Sequence, residues 1–480
     1  MRASRRQFLA GAAAAGAALY LDDAAQVDRP RPDGANILLV VIDSLRADHA
    51  LGSRARTPAI DALARGAVAF PNAFPEAMPT VPARNSILSG RRMFPFRDWH
   101  EYPGLVTKPG WEPPERMADL FTGVLGRSGW STAYVTDNPF LGFASPYEPF
   151  RHSFDVFVRH GGQIGAGDRP VDRQTVEHWL HPAVRRAGMS ERVRRYIANA
   201  DYSHDERESF AARVFGSAVE VLTRAARKRP FVLGVDSFQP HEPWTPPRRY
   251  LDLYGDPDYE GPEPAIPHYG RAEDWLDDDE LPIVLERMRA LYAAEVTMTD
   301  HWLGVLLERL HDLRLDSETV LALVSDHGIL FGERGWTGKI STQLHPELTN
   351  VPLLIADPLG RGSSTHSFFA STHDLAPTLL AIAGVDPPAS MTGVDLSPAL
   401  RGDSVANRPY AYGGYNDSHY LRDERIAYMA DNRGQGASLF ELSDDPGELH
   451  DVAAQHPNLV RSLYATVRDR AGGSPPWYDA

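Results

Sequence analysis

The chain has 480 residues and no cysteine, and its 49 basic and 64 acidic side chains leave a net charge of −15. That excess of carboxylates excludes a general nucleic-acid binder, which needs clustered Lys and Arg to neutralise phosphates. The lack of cysteine excludes disulfides, thiolate nucleophiles and Cys-ligated metal, so any ion must be held by His, Asp or Glu. In chain order, Ser4, Arg5, Arg6, Gln7, Phe8 and Leu9 precede an Ala/Gly-rich apolar run that ends at Leu21. A basic start before a short apolar stretch predicts a signal segment over 1–26 of the twin-arginine type, and hence export to the periplasm or beyond. The run is too short to span a bilayer comfortably, and no later segment approaches a span.

Residues 36–42 form a near-continuous β-branched and aliphatic run, as do 131–135, 231–235, 319–324 and 351–355. Runs apolar on both faces suit the centre of a parallel sheet. Helical periodicity lies between them, at Ile60, Leu63 and Ala64 and again from Met288 to Leu310. The alternation predicts an α/β fold over 35–402, a mostly parallel sheet flanked by helices. Two stretches interrupt it, a charged helical one at 151–202 and a Pro/Asp/Glu/Tyr-rich one at 250–279. Both are expected as insertions walling a substrate site. From 403 to 480 the pattern changes to short antiparallel strands, at 420–431 and 437–442, and a closing helix near 459–467. These predict a smaller C-terminal α+β subdomain.

Polar clusters end three of the buried runs: Asp43, then Asp137 with Asn138, then Ser325, Asp326 and His327. Ligands of parallel sheets sit at the carboxyl ends of strands, where two acids and an imidazole can converge on one divalent ion. Gly328 follows His327 and is expected to allow a tight turn. Between these clusters, Thr80 stands two residues before Pro82 and four before Arg84, at what the pattern predicts to be a helix entry. A hydroxyl there faces free N–H groups and the positive end of the dipole, which suits a tetrahedral anion that Arg84 can clamp. Capping of the helix by Thr80 is the plainer reading of the same residues.

The chain resembles the sulfatase family of the alkaline phosphatase superfamily. The likeness is carried by NILLVVIDSLRAD at 36–48, TPAIDALARGAVAFPNAF at 57–74, TVPARNSILSGR at 80–91, SDHG at 325–328, Gly338-Lys339, VPLLI at 351–355, DLAPTLLAIAG at 374–384 and LFELSDDPGE at 439–448. The resemblance implies an alkaline-phosphatase-like sandwich and a hydrolase of anionic esters. It implies that Asp43, Asp326 and His327 hold one divalent metal ion, that Thr80 is the nucleophile and that Arg84 supports it. Lys339 and His241 then line the pocket for the anionic group. Mn²⁺, Mg²⁺ or Ca²⁺ suits such a mainly oxygen site, and Zn²⁺ stays open. Asp236 with His241 is a further candidate pair for a second ion. His345 and His373 match no family position and are expected to pack structurally.

Departures from the family pattern direct the chemistry. Sulfatases carry a cysteine or serine at the place of Thr80, oxidised to formylglycine, whose hydrate expels sulfate by collapsing to the aldehyde. A threonine ester of sulfate has no geminal hydroxyl to drive that step. A phosphothreonine can be attacked again at phosphorus. Ser44 stands where many sulfatases have a second metal-binding aspartate, and Thr136, Asp137 and Asn138 stand where they often have Lys and His. The expected activity is therefore hydrolysis, or transfer, at phosphoester or phosphodiester bonds of a small-molecule, glycan-linked or lipid-linked substrate. A sulfuric ester hydrolase without formylglycine and a non-catalytic protein that keeps the fold are the alternatives. Trp244, Tyr250, Tyr254 and Tyr259 are candidate aromatic faces for a sugar or aryl group, or anchors of their Pro-rich loops.

Overall fold

The apolar run at 36–42 becomes the strand Asn36–Ile42, with all seven residues buried. Successive side chains of a strand point to opposite faces, and here each face meets its own core. Leu38, Val40 and Ile42 pack with Ile60, Phe215 and Leu291, whereas Ile37, Leu39 and Val41 pack with Val81, Phe121 and Leu375. Helices Pro58–Gly66, Phe210–Ala225 and Leu281–Asp312 therefore cover one face of the sheet. Thr80–Ser89, Phe121–Arg127 and Leu375–Ala383 cover the other. This α/β sandwich is seen in a computed structural model that describes residues 34–141, 145–164, 169–199, 205–360, 362–405 and 408–479. The leader expected over 1–26 lies outside the described residues. Among the described residues no helix is long and apolar enough to cross a membrane.

Among the described residues the main sheet has eight strands. In spatial order they are Ser364–Thr365, Val68–Ala69, Leu353–Ala356, Thr319–Ser325, Asn36–Ile42, Phe231–Ser237, Ser131–Thr136 and Val156–Arg159. The Asn36 strand is parallel to both neighbours. The strand expected at 351–355 is Leu353–Ala356, and it runs antiparallel to both of its neighbours, Thr319–Ser325 and Val68–Ala69, so the sheet is mixed at this side. At the opposite edge Val156–Arg159, inside the first insertion, adds a parallel strand that the sequence pattern had not indicated.

A second sheet of five strands orders Ser438–Glu441, Ile426–Asp431, Ser418–Arg422, Ala411–Tyr415 and Ala77–Met78. The single stretch expected at 420–431 is thus two strands, Ser418–Arg422 and Ile426–Asp431, paired antiparallel. The helix Pro457–Arg470 packs on this sheet through Leu463 and Val467. Its edge partner Ala77–Met78 belongs to the segment that leads into Thr80, and pairs in parallel with Gly414 and Tyr415.

Register aligns the carboxyl ends. Asp236 stands beside Thr136 on one side and Val41 on the other, and Val41 stands beside Val324. Whatever follows these residues emerges along one rim of the sheet.

Candidate metal and anion site

Asp43 extends the ladder by one bond, its N–H donating to the Ser237 carbonyl at 2.9 Å. The chain then turns through Ser44, which takes the left-handed conformation at φ 57°. Few side chains other than Gly, Asn and Asp tolerate that region, and hydrogen bonds hold Ser44 in it. Its N–H donates to Asp326 Oδ1 at 2.9 Å, its hydroxyl to Asp43 Oδ1 at 2.7 Å, and its carbonyl accepts from Tyr292 at 2.7 Å. Ser44, lacking an acid, thus positions the two carboxylates beside it.

Asp43, Asp326 and His327 are fully buried, and one ligand atom of each lies within 4.8 Å of the others. His327 Nδ1 lies 2.9 Å from the Gly328 carbonyl, which places its proton there and leaves Nε2 as a lone-pair donor. Among the described residues that Nε2 and Asp43 Oδ2 are buried with no hydrogen-bond partner. Burial, with the charge of Asp326 beside it, pushes the Asp43 carboxyl well above its ordinary range. Burial works the same way on Asp326, but His327 and Arg84 hold that carboxyl well below it. Two buried acids and an orphaned imidazole nitrogen fit a hard or borderline divalent cation. Gly328 has a different reason from the expected turn: a Cβ there would lie 2.1 Å from the Glu347 carbonyl.

Thr80 is the first residue of Thr80–Ser89, all ten of whose residues are buried, and Pro79 holds the N-cap position that the plainer reading gave to Thr80. Arg84 Nη1 donates to the Thr80 carbonyl at 3.0 Å and to Asp326 Oδ2 at 2.5 Å, and lies 3.1 Å from Asp43 Oδ2. One guanidinium nitrogen therefore ties the start of the helix to the acid pair. The other side of the fork grips Asp236, Nε to Oδ2 at 2.9 Å and Nη2 to Oδ1 at 2.7 Å. Asp236 also accepts from Tyr134 at 3.0 Å. The Tyr134 ring lies over Gly234, where a Cβ would come within 2.4 Å of it. Asp236 is thus a salt-bridge partner of Arg84, not half of a second metal pair with His241.

His241 and Lys339 meet on the outer side, each 7% exposed. Lys339 Nζ lies 3.1 Å from His241 Nε2, and His241 Nδ1 lies 2.7 Å from the Glu242 carbonyl. The imidazole is stacked on Phe238 at 4.2 Å, and burial drives it well below its ordinary value. A neutral ring whose Nδ1 proton faces a carbonyl offers Lys339 an acceptor and has no proton to give at Nε2. Lys339 Nζ also contacts both oxygens of Glu242, at 3.0 and 2.8 Å. Glu242 is fully buried, with Arg192 3.3 Å away and the Tyr269 hydroxyl donating to it. Burial opposes ionisation of Glu242, and the Lys339 and Arg192 cations more than offset it, holding the carboxyl well below its ordinary range.

The sequence reading missed Glu242, Arg192 and Tyr269. Arg192 comes from the first insertion and Tyr269 from the second, so both reach the site. Gln163 joins them, donating to the His241 carbonyl at 3.0 Å. Of the two readings open for the four aromatic residues, the contacts they make are those of local anchors. Trp244 is buried and donates to the Pro240 carbonyl, Tyr250 bonds Glu206, Tyr254 meets Thr297 and Tyr259 donates to the Pro262 carbonyl. His345 pairs with Glu448, and His373 meets Ser371 at 2.8 Å, both structural contacts.

Where the family often has Lys and His, the structure has a carboxyl and a turn. Asn138 Oδ1 accepts from the N–H groups of Phe140 and Leu141. Asp137 Oδ1 accepts from Phe238 N–H at 2.7 Å, its Oδ2 is buried without a hydrogen-bond partner among the described residues, and burial lifts the group to about 7 from 3.8. The folded chain then keeps a proton that the unfolded chain has released, so this group makes stability fall as pH rises from about 4 to about 7. Asp137→Asn removes that slope. Thermal melts should show the variant gaining on the parent as pH rises across this window, by up to roughly 4 kcal/mol at its upper end. An equal difference at both ends of the window would refute the assignment.

The Sulfatase family model matches residues 35–385. The chain belongs to the sulfatase family. A second model, that of the N-sulphoglucosamine sulphohydrolase C-terminal region, matches residues 332–470 of this sulfatase-family hydrolase. It is 24% identical to the arylsulfatase of Clostridium perfringens over 86% of the chain and 89% of that protein. It is 26% identical to the choline-sulfatase of Rhizobium meliloti over 87% and 82%. Among solved structures, the phosphonate monoester hydrolase of Silicibacter pomeroyi aligns with a TM-score of 0.71 at 18% identity, covering 92% of this chain and 96% of that one.

Proposed function

We propose that this sulfatase-family member is a metal-dependent hydrolase of phosphoester or phosphodiester bonds that works through a covalent Thr80 intermediate. The observation that carries the reading is a threonine, with no aldehyde precursor, joined through Arg84 to the acid pair Asp43 and Asp326. A divalent ion held by Asp43, Asp326 and His327 would supply Lewis acidity toward the Thr80 hydroxyl and a substrate oxygen. Thr80 Oγ1 forms a bond to phosphorus as the ester oxygen leaves, and water then attacks the same phosphorus and returns the Thr80 hydroxyl. An alcohol in place of that water makes the second step a transfer. Arg84 and Lys339 face the charge that develops on the phosphoryl oxygens. Because His241 holds no proton toward Lys339, its part is to orient that lysine, and the proton for the leaving oxygen comes from water. The twin-arginine-type leader extends the proposal to an exported enzyme.

The names of the curated relatives favour a second reading, direct hydrolysis of a sulfuric ester. The test is a side-by-side screen of nitrophenyl phosphate, bis-nitrophenyl phosphate and nitrophenyl sulfate, with metal analysis of the same sample and mass spectrometry of the Thr80 peptide after an acid quench. Phosphorus esters turned over, with phosphate on Thr80, are the expected result. Turnover of the sulfate alone, with Thr80 unmodified, selects the second reading. A metal-loaded protein inert to all three selects the non-catalytic one.

A further inference from the structure

The pocket's fixed cations are each cancelled by a buried carboxylate. Arg84 is held in a two-bond fork by Asp236. Lys339 touches both oxygens of Glu242, and both residues are more than nine-tenths buried. With a divalent ion bound, Asp43 and Asp326 would carry the two charges that balance it. His241, with its charge suppressed by burial, adds none. What remains is Arg192, whose side chain is 42% exposed at the rim and 3.3 Å from Glu242. Buried opposite charges this close shield each other at the range of a bound substrate, so the anion meets a pocket near neutrality.

We propose that Glu242 determines the charge of the ester this site accepts. By neutralising Lys339 it makes the pocket select singly charged esters, such as phosphodiesters, over doubly charged phosphomonoesters. Glu242 acts through Lys339 and is a positioning and charge-setting residue. Its ionised state is secured by the Lys339 and Arg192 cations that it contacts, so the cancellation persists across the neutral range. The inference rests on the hydrolase reading above and narrows it.

The test uses the full-length, metal-loaded chain at about pH 8, where nitrophenyl phosphate is a dianion and both the diester and the sulfate are monoanions. The wild type should prefer the diester. Glu242→Gln uncovers the Lys339 charge and should shift the diester-to-monoester ratio of kcat/KM by about tenfold toward the monoester, mainly through its KM. Glu242→Asp should keep the wild-type ratio. Arg192→Gln, at a half-exposed side chain that folding tolerates, should move the ratio about two- to fivefold the other way. A purely structural Glu242 would lower both substrates in proportion, and that result, or a wild type that prefers the dianion, overturns the proposal. Calorimetry with inorganic phosphate separates this failure from failure of the hydrolase reading. If no ester is cleaved but phosphate binds about tenfold tighter to Glu242→Gln, charge cancellation stands and the hydrolase reading falls. If phosphate affinity is unchanged, charge cancellation falls.

Discussion

Arg84→Ala is expected to cost about 3–5 kcal/mol of folding stability in the metal-free protein, because it leaves buried carboxylates without their cation. The side chain is fully buried and holds Asp236 and Asp326, with Asp43 3.1 Å away. Urea denaturation with and without Mn²⁺ checks this. The deficit should shrink when the ion is present, since a divalent charge takes over part of the work on Asp43 and Asp326, whereas Asp236 stays unpaired. Arg84→Lys restores one charge but not the fork, so it should recover only part of the loss. Ester hydrolysis should fall by about two orders of magnitude or more in both variants, as for loss of a preorganised donor. An unfolding midpoint equal to that of the parent would show that the acids find other partners.

Thr80→Ala should lower kcat by about three orders of magnitude or more while leaving the fold and metal content intact, because only the attacking oxygen is removed. The residue sits at the first position of its helix, and Arg84 reaches its carbonyl and not its side chain, so the anchoring survives the change. Thr80→Ser keeps the hydroxyl and should retain turnover within about tenfold, with phosphate then trapped on the new serine. Activity that persists in Thr80→Ala at the parent level would dismiss the covalent route.

The parts of this structure that could be seen in the sequence were those decided locally. The run at 36–42 was legible because every residue is apolar and buried on both faces, and the three acid-bearing strand ends follow from the same logic. Val156–Arg159 was not, since an edge strand half exposed and carrying an arginine has no such pattern. Ala411–Tyr415 was hidden by its two glycines, which read as a loop. In the fold they admit close neighbours: a Cβ on Gly414 would lie 2.2 Å from Phe94. Glu242 was illegible for a deeper reason. A charged residue between His and Pro reads as solvated, and its burial is compensated by Arg192 and Tyr269, 50 and 27 residues away. Asp236 showed as an acid in an apolar strand, but only the fold reveals that its counter-charge is 152 residues distant.

The pairing of Ala77–Met78 with Gly414 and Tyr415 gives the carboxyl-terminal portion a stake in the candidate site. On a linear map that portion looks like a detachable tail. In three dimensions it supplies the strand beside the segment that leads into Thr80, so shortening the protein from its far end would remove the pairing partner of the peptide just ahead of Thr80. A change in either stretch is therefore felt at the other's backbone.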